Sequence, residues 1–247
     1  MEENKLSADR FEKAQNAEIR IENRALKFIE NFWYHYKWHF LGILFLLFVV
    51  VTIIVQTATK EDADLKILMA GPYRSTLTQR ANMRLGLAEA LTEDYNGDGE
   101  KLVEIIDHEI YSEEQLKELG SAAFSGQMNA DNLKSFHNLV MAGEYSVCII
   151  DEWIYEDILA AGGIRPLSEL FGENIPEGSI DGYAIRLSSL PFAKTFSGFS
   201  ELPDSMVICL RTKGYMNGVF NRDKADKEYK KAEDLFISIV NYRPVGE

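Results

Sequence analysis

The sequence predicts an α/β protein: a single-lobe, mostly parallel sheet with flanking helices, preceded by one N-terminal transmembrane helix. Three observations predict it. Residues 40–55 read FLGILFLLFVVVTIIV, without a charge. Beyond them, short apolar runs alternate with longer stretches of helical spacing, the order that produces parallel strands joined by right-handed crossovers. A chain of 247 residues with one membrane span also has room for only one further domain of ordinary size. The expected organisation is a cytoplasmic juxtamembrane tail (1–37), a transmembrane helix (38–58), a linker (59–64) and an extracytoplasmic α/β domain (65–247).

Residues 38–58 make about 31 Å of helix at ~1.5 Å per residue, enough to cross ~30 Å of hydrocarbon. Thr52 is the one polar side chain between Phe40 and Val55, so no face is left to meet water. Phe32, Trp33, Tyr34, Tyr36, Trp38 and Phe40 crowd one end, where amphipathic rings anchor a span at the headgroups. The long region ahead of the span reads as an uncleaved anchor and not a signal peptide. Arg20, Arg24, Lys27 and Lys37 precede the span; Lys60, Lys66 and Arg74 follow it. This slight bias and the size of the tail keep the N-terminus in the cytoplasm and carry the large domain outside the cell. Within residues 7–36, Ala14, Ala17, Ile21, Ala25, Phe28 and Phe32 share one helical side. That helix lies on the membrane, packs on a partner, or is simply solvated.

The exported domain follows element by element. LKILMAG, ending at Gly71, is a buried strand. Thr76 and Gln79 have capping-box spacing, and Leu77, Ala81, Leu85, Ala88 and Leu91 form the stripe expected to face the core. LVEIID is the second strand. Ser112 and Gln115 repeat the capping spacing before a short helix. Asp131 is the expected start of another helix, with Leu133, Phe136 and Val140 on one face and Gly143 as its stop. YSVCIID is the third strand, followed by a helix over about 152–161 closed by Gly162 and Gly163. Residues 163–204, with four prolines, read as loops. SMVICLRT is a further strand, and residues 225–242 a last helix that turns Tyr229, Ala232, Phe236 and Ile239 inward.

Charge narrows the partners. Residues 61–247 hold 18 Lys/Arg against 32 Asp/Glu, a net −14. A domain so acidic repels phosphate backbones, so nucleic acid is not an expected partner. Cys148 and Cys209 each sit in an apolar run and read as buried free thiols; a disulfide would require their strands to be neighbours.

Two sets of residues are candidates for chemistry. Asp94, Asn96, Asp98 and Glu100 follow the D-x-N-x-D-G opening of a Ca²⁺ loop, with hard oxygens at alternate positions and Gly99 at the sharp turn. The twelfth position, which should be a bidentate carboxylate, is Ile105. The competing reading is a polar, Gly-rich turn. The second set comes from topology. Ligands of open α/β sheets bind beyond the carboxyl ends of the strands. Those ends carry Tyr73, Arg74, Ser75 and Thr76 after the first strand and Asp151, Glu152 and Trp153 after the third. The start of the helix at Thr76 offers N–H groups, Arg74 a charge and Trp153 a stacking face; the competing reading is ordinary capping and packing. No nucleophile elbow, P-loop or HExxH motif accompanies them, so no enzyme is expected.

The stretch AGEYSVCIIDEWIYEDILAAGGIRPLSELFG resembles the part of extracellular solute-binding proteins (the periplasmic-binding-protein-like type II group) where a strand ends in Asp, a helix follows, and a Gly-x-x-Pro-Leu turn closes the unit. Asp181-Gly182-Tyr183-Ala184-Ile185 resembles the short strand near their interlobe crossover. The aromatic NFWYHYKWHFLG is similar to membrane-anchored, largely uncharacterised proteins of Gram-positive bacteria. The resemblance implies one lobe of such a fold, with SMVICLRT and the last helix returning to it. The function it implies is a membrane-tethered binding or interaction module for a small polar ligand or an envelope protein. The alternatives are an exported enzyme using acidic residues at the strand ends, or a structural subunit of an envelope complex.

Overall fold

The computed structural model describes residues 24–58, 62–120, 125–213 and 222–244. Two compact units emerge, Met1–Glu61 and Asp62–Glu247. The first contributes one helix, α1 (Arg24–Ala58). Its stretch Asn31–Val55 has a mean hydropathy of 2.7 and none of it is buried against protein. Thr52 turns its hydroxyl back to donate to the Phe48 carbonyl at 2.8 Å, which hides the one polar side chain between Phe40 and Val55. Most of the tail helix expected upstream lies outside the described residues.

The second unit is a six-stranded mixed sheet with helices on both faces. Its strands are β1 (Leu65–Gly71), β2 (Val103–Glu109), β3 (Val147–Asp151), β4 (Ser179–Ile180), β5 (Ala184–Arg186) and β6 (Met206–Leu210), in the order β2-β1-β3-β6-β5-β4. β1 pairs parallel with β2 and β3, while β6 pairs antiparallel with both β3 and β5, and β4 antiparallel with β5. The expectation of a mostly parallel sheet is thus corrected to a mixed one. Only the first three strands are linked by helical crossovers. The stretch over 163–204, expected as loops, instead holds short helices and the tight β4–β5 turn, and residues 187–205 carry the chain from β5 into β6, which enters antiparallel beside β3.

Alternation along each strand divides the core. Ile67, Met69, Val147, Ile149, Ile208 and Leu210 face one side; Leu68, Ala70, Cys148, Ile150, Val207 and Cys209 face the other. α2 (Leu77–Ala90) and α9 (Arg222–Val240) cover the first face; α4 (Gly126–Ala142) and α5 (Glu152–Ala160) cover the second. Burial on both faces is why the central strands are apolar runs without polar alternation. A short helix α3 (Glu113–Leu119) follows β2. The returning stretch forms α6 (Ser168–Phe171), a tight β4–β5 turn with Asp181 at φ 55°, α7 (Pro191–Thr195) and α8 (Ser197–Ser200).

Both capping boxes form: Thr76 with Gln79, and Ser112 with Gln115. Two local expectations are corrected. α4 begins at a Ser125 cap, and Asp131 lies one turn inside it, accepting from Gln127 Nε2 at 3.1 Å. More telling is α2, where Leu77, Ala81 and Leu85 of the expected inner stripe point outward, while Leu91, just past its end, is buried. Leu77 is 89% and Leu85 67% exposed, while Met83, Gly86, Leu87 and Ala90 are buried. The cause is a close approach of the returning chain. A Cβ on Gly86 would stand 2.7 Å from the Phe196 ring, and one on Gly198 would stand 2.6 Å from the Gln79 carbonyl oxygen. Two missing side chains let α8 lie against α2, and that contact chooses the buried face.

The two faces of α2 should therefore respond differently to truncation. Leu87→Ala is expected to cost about 2–5 kcal/mol, and Leu85→Ala to stay within about 0.5 kcal/mol. Chemical denaturation of the detergent-solubilised chain measures both, and a reversed order would overturn this packing.

Candidate functional site

β1 runs on through α2 to β2 on one side, whereas β3 lies on the other side of β1, so the strand order reverses between β1 and β3. Their following helices leave on opposite faces, α2 to one and α5 to the other. Such a reversal opens a crevice at the carboxyl ends of the strands. β5 runs parallel to β3, since both are antiparallel to β6, so Arg186 ends on this same edge.

The β1–β2 part of the edge is a small ionic network. Ser75 Oγ donates to Asp107 Oδ2 at 2.9 Å, and Arg80 Nη2 donates to the same oxygen at 2.7 Å. Arg80 lies one turn into α2 and Asp107 near the end of β2, so the bond ties the helix to the strand beside it. Tyr73 packs on the first core face with its hydroxyl buried and unpartnered among the described residues. Burial, reinforced by the nearby Asp107 carboxylate, pushes its pKa far up, so the phenol stays protonated and remains a donor. Arg74 is exposed and makes no hydrogen bond or ion pair among the described residues. Thr76 is committed to capping: its hydroxyl accepts from Gln79 N at 3.2 Å, and its own N–H donates to Gln79 Oε1 at 2.8 Å.

The β3 part is a second network. Asp151 caps α5, accepting from Trp153 N at 3.3 Å and from Ser205 Oγ at 2.6 Å. Glu152 forms a two-oxygen pair with Arg186 Nη2 at 3.0 and 3.1 Å, and Arg186 Nη1 also donates to the Asp204 carbonyl at 2.8 Å. Partial exposure keeps this ion pair weak, within about 1 kcal/mol; its value is in holding β5, β6 and α5 in register. Trp153 lies against the second core face, and its indole N–H is buried without a partner among the described residues.

The seven residues expected at the strand ends are therefore divided. Thr76, Ser75, Asp151 and Glu152 are held by capping or pairing. Arg74, the Tyr73 hydroxyl and the Trp153 N–H remain uncommitted. Arg80, Asp107, Arg186 and Ser205 were missed by the sequence reading. Asp107 closes the apolar run LVEIID and Arg186 ends β5, a signal that could have found them; the partnership of Ser205 with Asp151 exists only because β6 returns beside β3.

The Asp94 loop lies before β2, away from this edge. Its oxygens turn inward: Asp94 accepts from Gly97 N at 2.7 Å and Gly99 N at 2.8 Å, Asn96 Oδ1 from Asp98 N, and Asp98 Oδ1 from Glu100 N, the last two at 2.9 Å. These bonds hold the Asp94 carboxyl below the usual carboxylate range. Buried Asp64 locks the loop from beneath, accepting from Tyr95 N, Asn96 N and Leu102 N at 2.7–2.9 Å. Ile105, at the twelfth position, is buried in the core, and Glu104 beside it pairs with Lys66 at 2.7 Å. Among the described residues, no three His, Cys, Asp or Glu side chains gather as a metal site would require. Ile105 offers no oxygen at the twelfth position, and side-chain oxygens of Asp94, Asn96 and Asp98 are engaged in shaping the turn.

Compared with known protein families, curated proteins and solved structures, the chain matches none.

His108, next to Asp107, gives this edge a pH dependence. Its Nε2 lies 3.2 Å from Ser135 Oγ, its ring meets Phe136 edge-on, and burial lowers its pKa, with Asp107 opposing. An imidazole whose pKa is depressed on folding takes its proton first in the unfolded chain. Its contribution is intact above pH ~6.5 and is lost as the pH falls through that range. The Tm difference between wild type and His108→Asn should therefore shrink from pH 7.5 to pH 5. Thermal melts across that range test it, and a constant difference would contradict it.

Proposed function

We propose that this protein is a single-pass membrane protein that displays an acidic α/β domain outside the cytoplasm as a binding or interaction module. The observation that carries the reading is the span Asn31–Val55, charge-poor, strongly apolar and not buried against protein anywhere along its length. In water such a surface would be an aggregation site; in lipid it is at rest. The exposed rings of Trp33, Tyr34, Tyr36 and Trp38 fit an interfacial belt at its start.

The domain is a one-lobe relative of extracellular solute-binding proteins. Support comes from the reversal of strand order between β1 and β3, where ligands of open α/β sheets bind, and from a β6 strand and α9 helix that return beside β3, as that resemblance expects. With one lobe, this edge has no second half to close over it. The ligand it suits is small and polar: Arg74 offers a free cation, Tyr73 and Trp153 offer unmatched donors. Binding is favoured over catalysis because the acidic residues of the edge, Asp107, Asp151 and Glu152, are already held by Arg80, Ser205 and Arg186. A protein partner in the envelope is the second reading, favoured by the apolar stripe that Leu77 and Leu85 expose on α2.

Two measurements test the reading. The full chain is expected in the membrane fraction, with its C-terminal domain digested by protease added to intact cells; recovery in the soluble fraction would sink it. Thermal-shift screening of the detergent-solubilised chain against amino acids, sugars, short peptides and carboxylates should find a ligand whose affinity falls at least about tenfold in Arg74→Ala and in Trp153→Phe. Millimolar Ca²⁺, added to the same assay, is expected to leave Tm unchanged.

A further inference from the structure

Cys148 in β3 and Cys209 in β6 are the two cysteines of the chain, and the antiparallel register sets them directly opposite one another. Their pair type follows from the ladder on either side. Arg211 N donates to the Ser146 carbonyl at 2.8 Å, and Glu152 N donates to the Ser205 carbonyl at 3.0 Å. Hydrogen-bonded and non-hydrogen-bonded pairs alternate along an antiparallel ladder. Both bonds therefore make Cys148 and Cys209 a hydrogen-bonded pair, with Cα atoms about 5.5 Å apart. That is inside the ~4.4–6.8 Å that a disulfide spans. Both side chains project from the same sheet face and both are fully buried. Arg211 lies two residues beyond Cys209 on that face, buried, with its guanidinium donating to the Tyr145 and Val140 carbonyls.

We propose that Cys148 and Cys209 are a redox pair that closes into a cross-strand disulfide as the domain folds in an oxidising compartment. The compartment rests on the membrane topology proposed above; the chemistry of the pair does not. The oxidant is a small-molecule disulfide. One cysteine thiolate attacks a sulfur of that molecule and expels its other half as a thiolate. The second cysteine then attacks the mixed disulfide and expels the remaining half. The two S–H protons pass through solvent to the two expelled thiolates, and the two electrons leave with the oxidant, which departs as two thiols. The buried sulfurs are reached in the folding chain, before the α4 and α5 layer covers them.

The cross-link would join the parallel half of the sheet to its returning strand, with everything from α5 to α8 inside the closed loop. Restricting the unfolded chain in this way stabilises the fold. Opposite Cβ atoms of a strand pair lie about 4.5–5.5 Å apart, against about 3.5–4.5 Å in a disulfide, so the strands must draw together slightly and part of the gain is lost to strain. A net rise in Tm of about 5–10 °C is expected.

The experiment uses the full chain in detergent, unfolded with reductant and refolded with either glutathione disulfide or dithiothreitol. Free thiols are alkylated under denaturing conditions and peptides are read by mass spectrometry. The oxidised sample should resist alkylation, yield a peptide pair linked through Cys148 and Cys209, and melt 5–10 °C above the reduced one. In Cys148→Ala and Cys209→Ala the oxidant should no longer raise Tm. Where refolding from denaturant is inefficient, incubating the native chain with glutathione disulfide just below its Tm gives the same readout. Two alkylated cysteines after oxidation, one glutathione on each, or a linked form that melts lower would overturn the proposal, and none of these would bear on the membrane topology.

Discussion

The domain depends on one constraint: its three central strands, β1, β3 and β6, must be covered on both faces. Each carries apolar side chains up and down the sheet, so neither face can be left to water. Four helices meet the requirement, two per face, and their placement decides everything else. Because α2 and α5 go to opposite faces, the sheet opens between β1 and β3 at the strand ends. Because β6 must pair beside β3, its flanking residues bring Ser205 to Asp151 and Arg186 to Glu152. The polar edge is therefore a by-product of how the apolar sheet is buried.

A second buried charge shows the same logic. Arg211 ends β6 under the C-terminus of α4, where its guanidinium reaches the Val140 and Tyr145 carbonyls at 2.6 and 3.2 Å. The last carbonyls of a helix carry partial negative charge and lack intrahelical donors. A cation there satisfies them without needing a carboxylate partner. The Tyr229 hydroxyl, on α9, donates to the Arg211 carbonyl at 2.8 Å, so α9 and α4, on opposite faces, are both tied to the same residue. At the same edge of the sheet, just before β1, Asp64 does the complementary work, accepting three backbone N–H groups and holding the Asp94 turn to the start of β1.

The candidate site was legible in its location and only partly in its membership. Strand ends could be named from the apolar runs, and a polar residue just past such a run is a natural ligand or cap. Thr76, Ser112 and Asp151 were readable as caps because capping is a contact over two or three residues, local enough to leave a spacing in the sequence. Asp107–Arg80, Glu152–Arg186 and Asp151–Ser205 span 27, 34 and 54 residues, and no spacing announces a bond made across a sheet. The α2 stripe shows the failure most plainly. Five apolar residues at helical spacing pointed inward on paper, but the real inner face includes Gly86, which hydrophobicity ignores and shape requires.

What the sequence by itself determined was local or compositional: the apolar span, the strands of the parallel half, the helix caps and the acidity of the domain. Each depends on residues a few positions apart, or on no partner at all. The tertiary structure alone decided which face of α2 is buried, that half of the sheet is antiparallel, and that Cys148 stands opposite Cys209. These depend on where the chain returns after residue 163, and that is set by close approach and pairing between segments far apart in sequence, where physical proximity leaves no periodic trace.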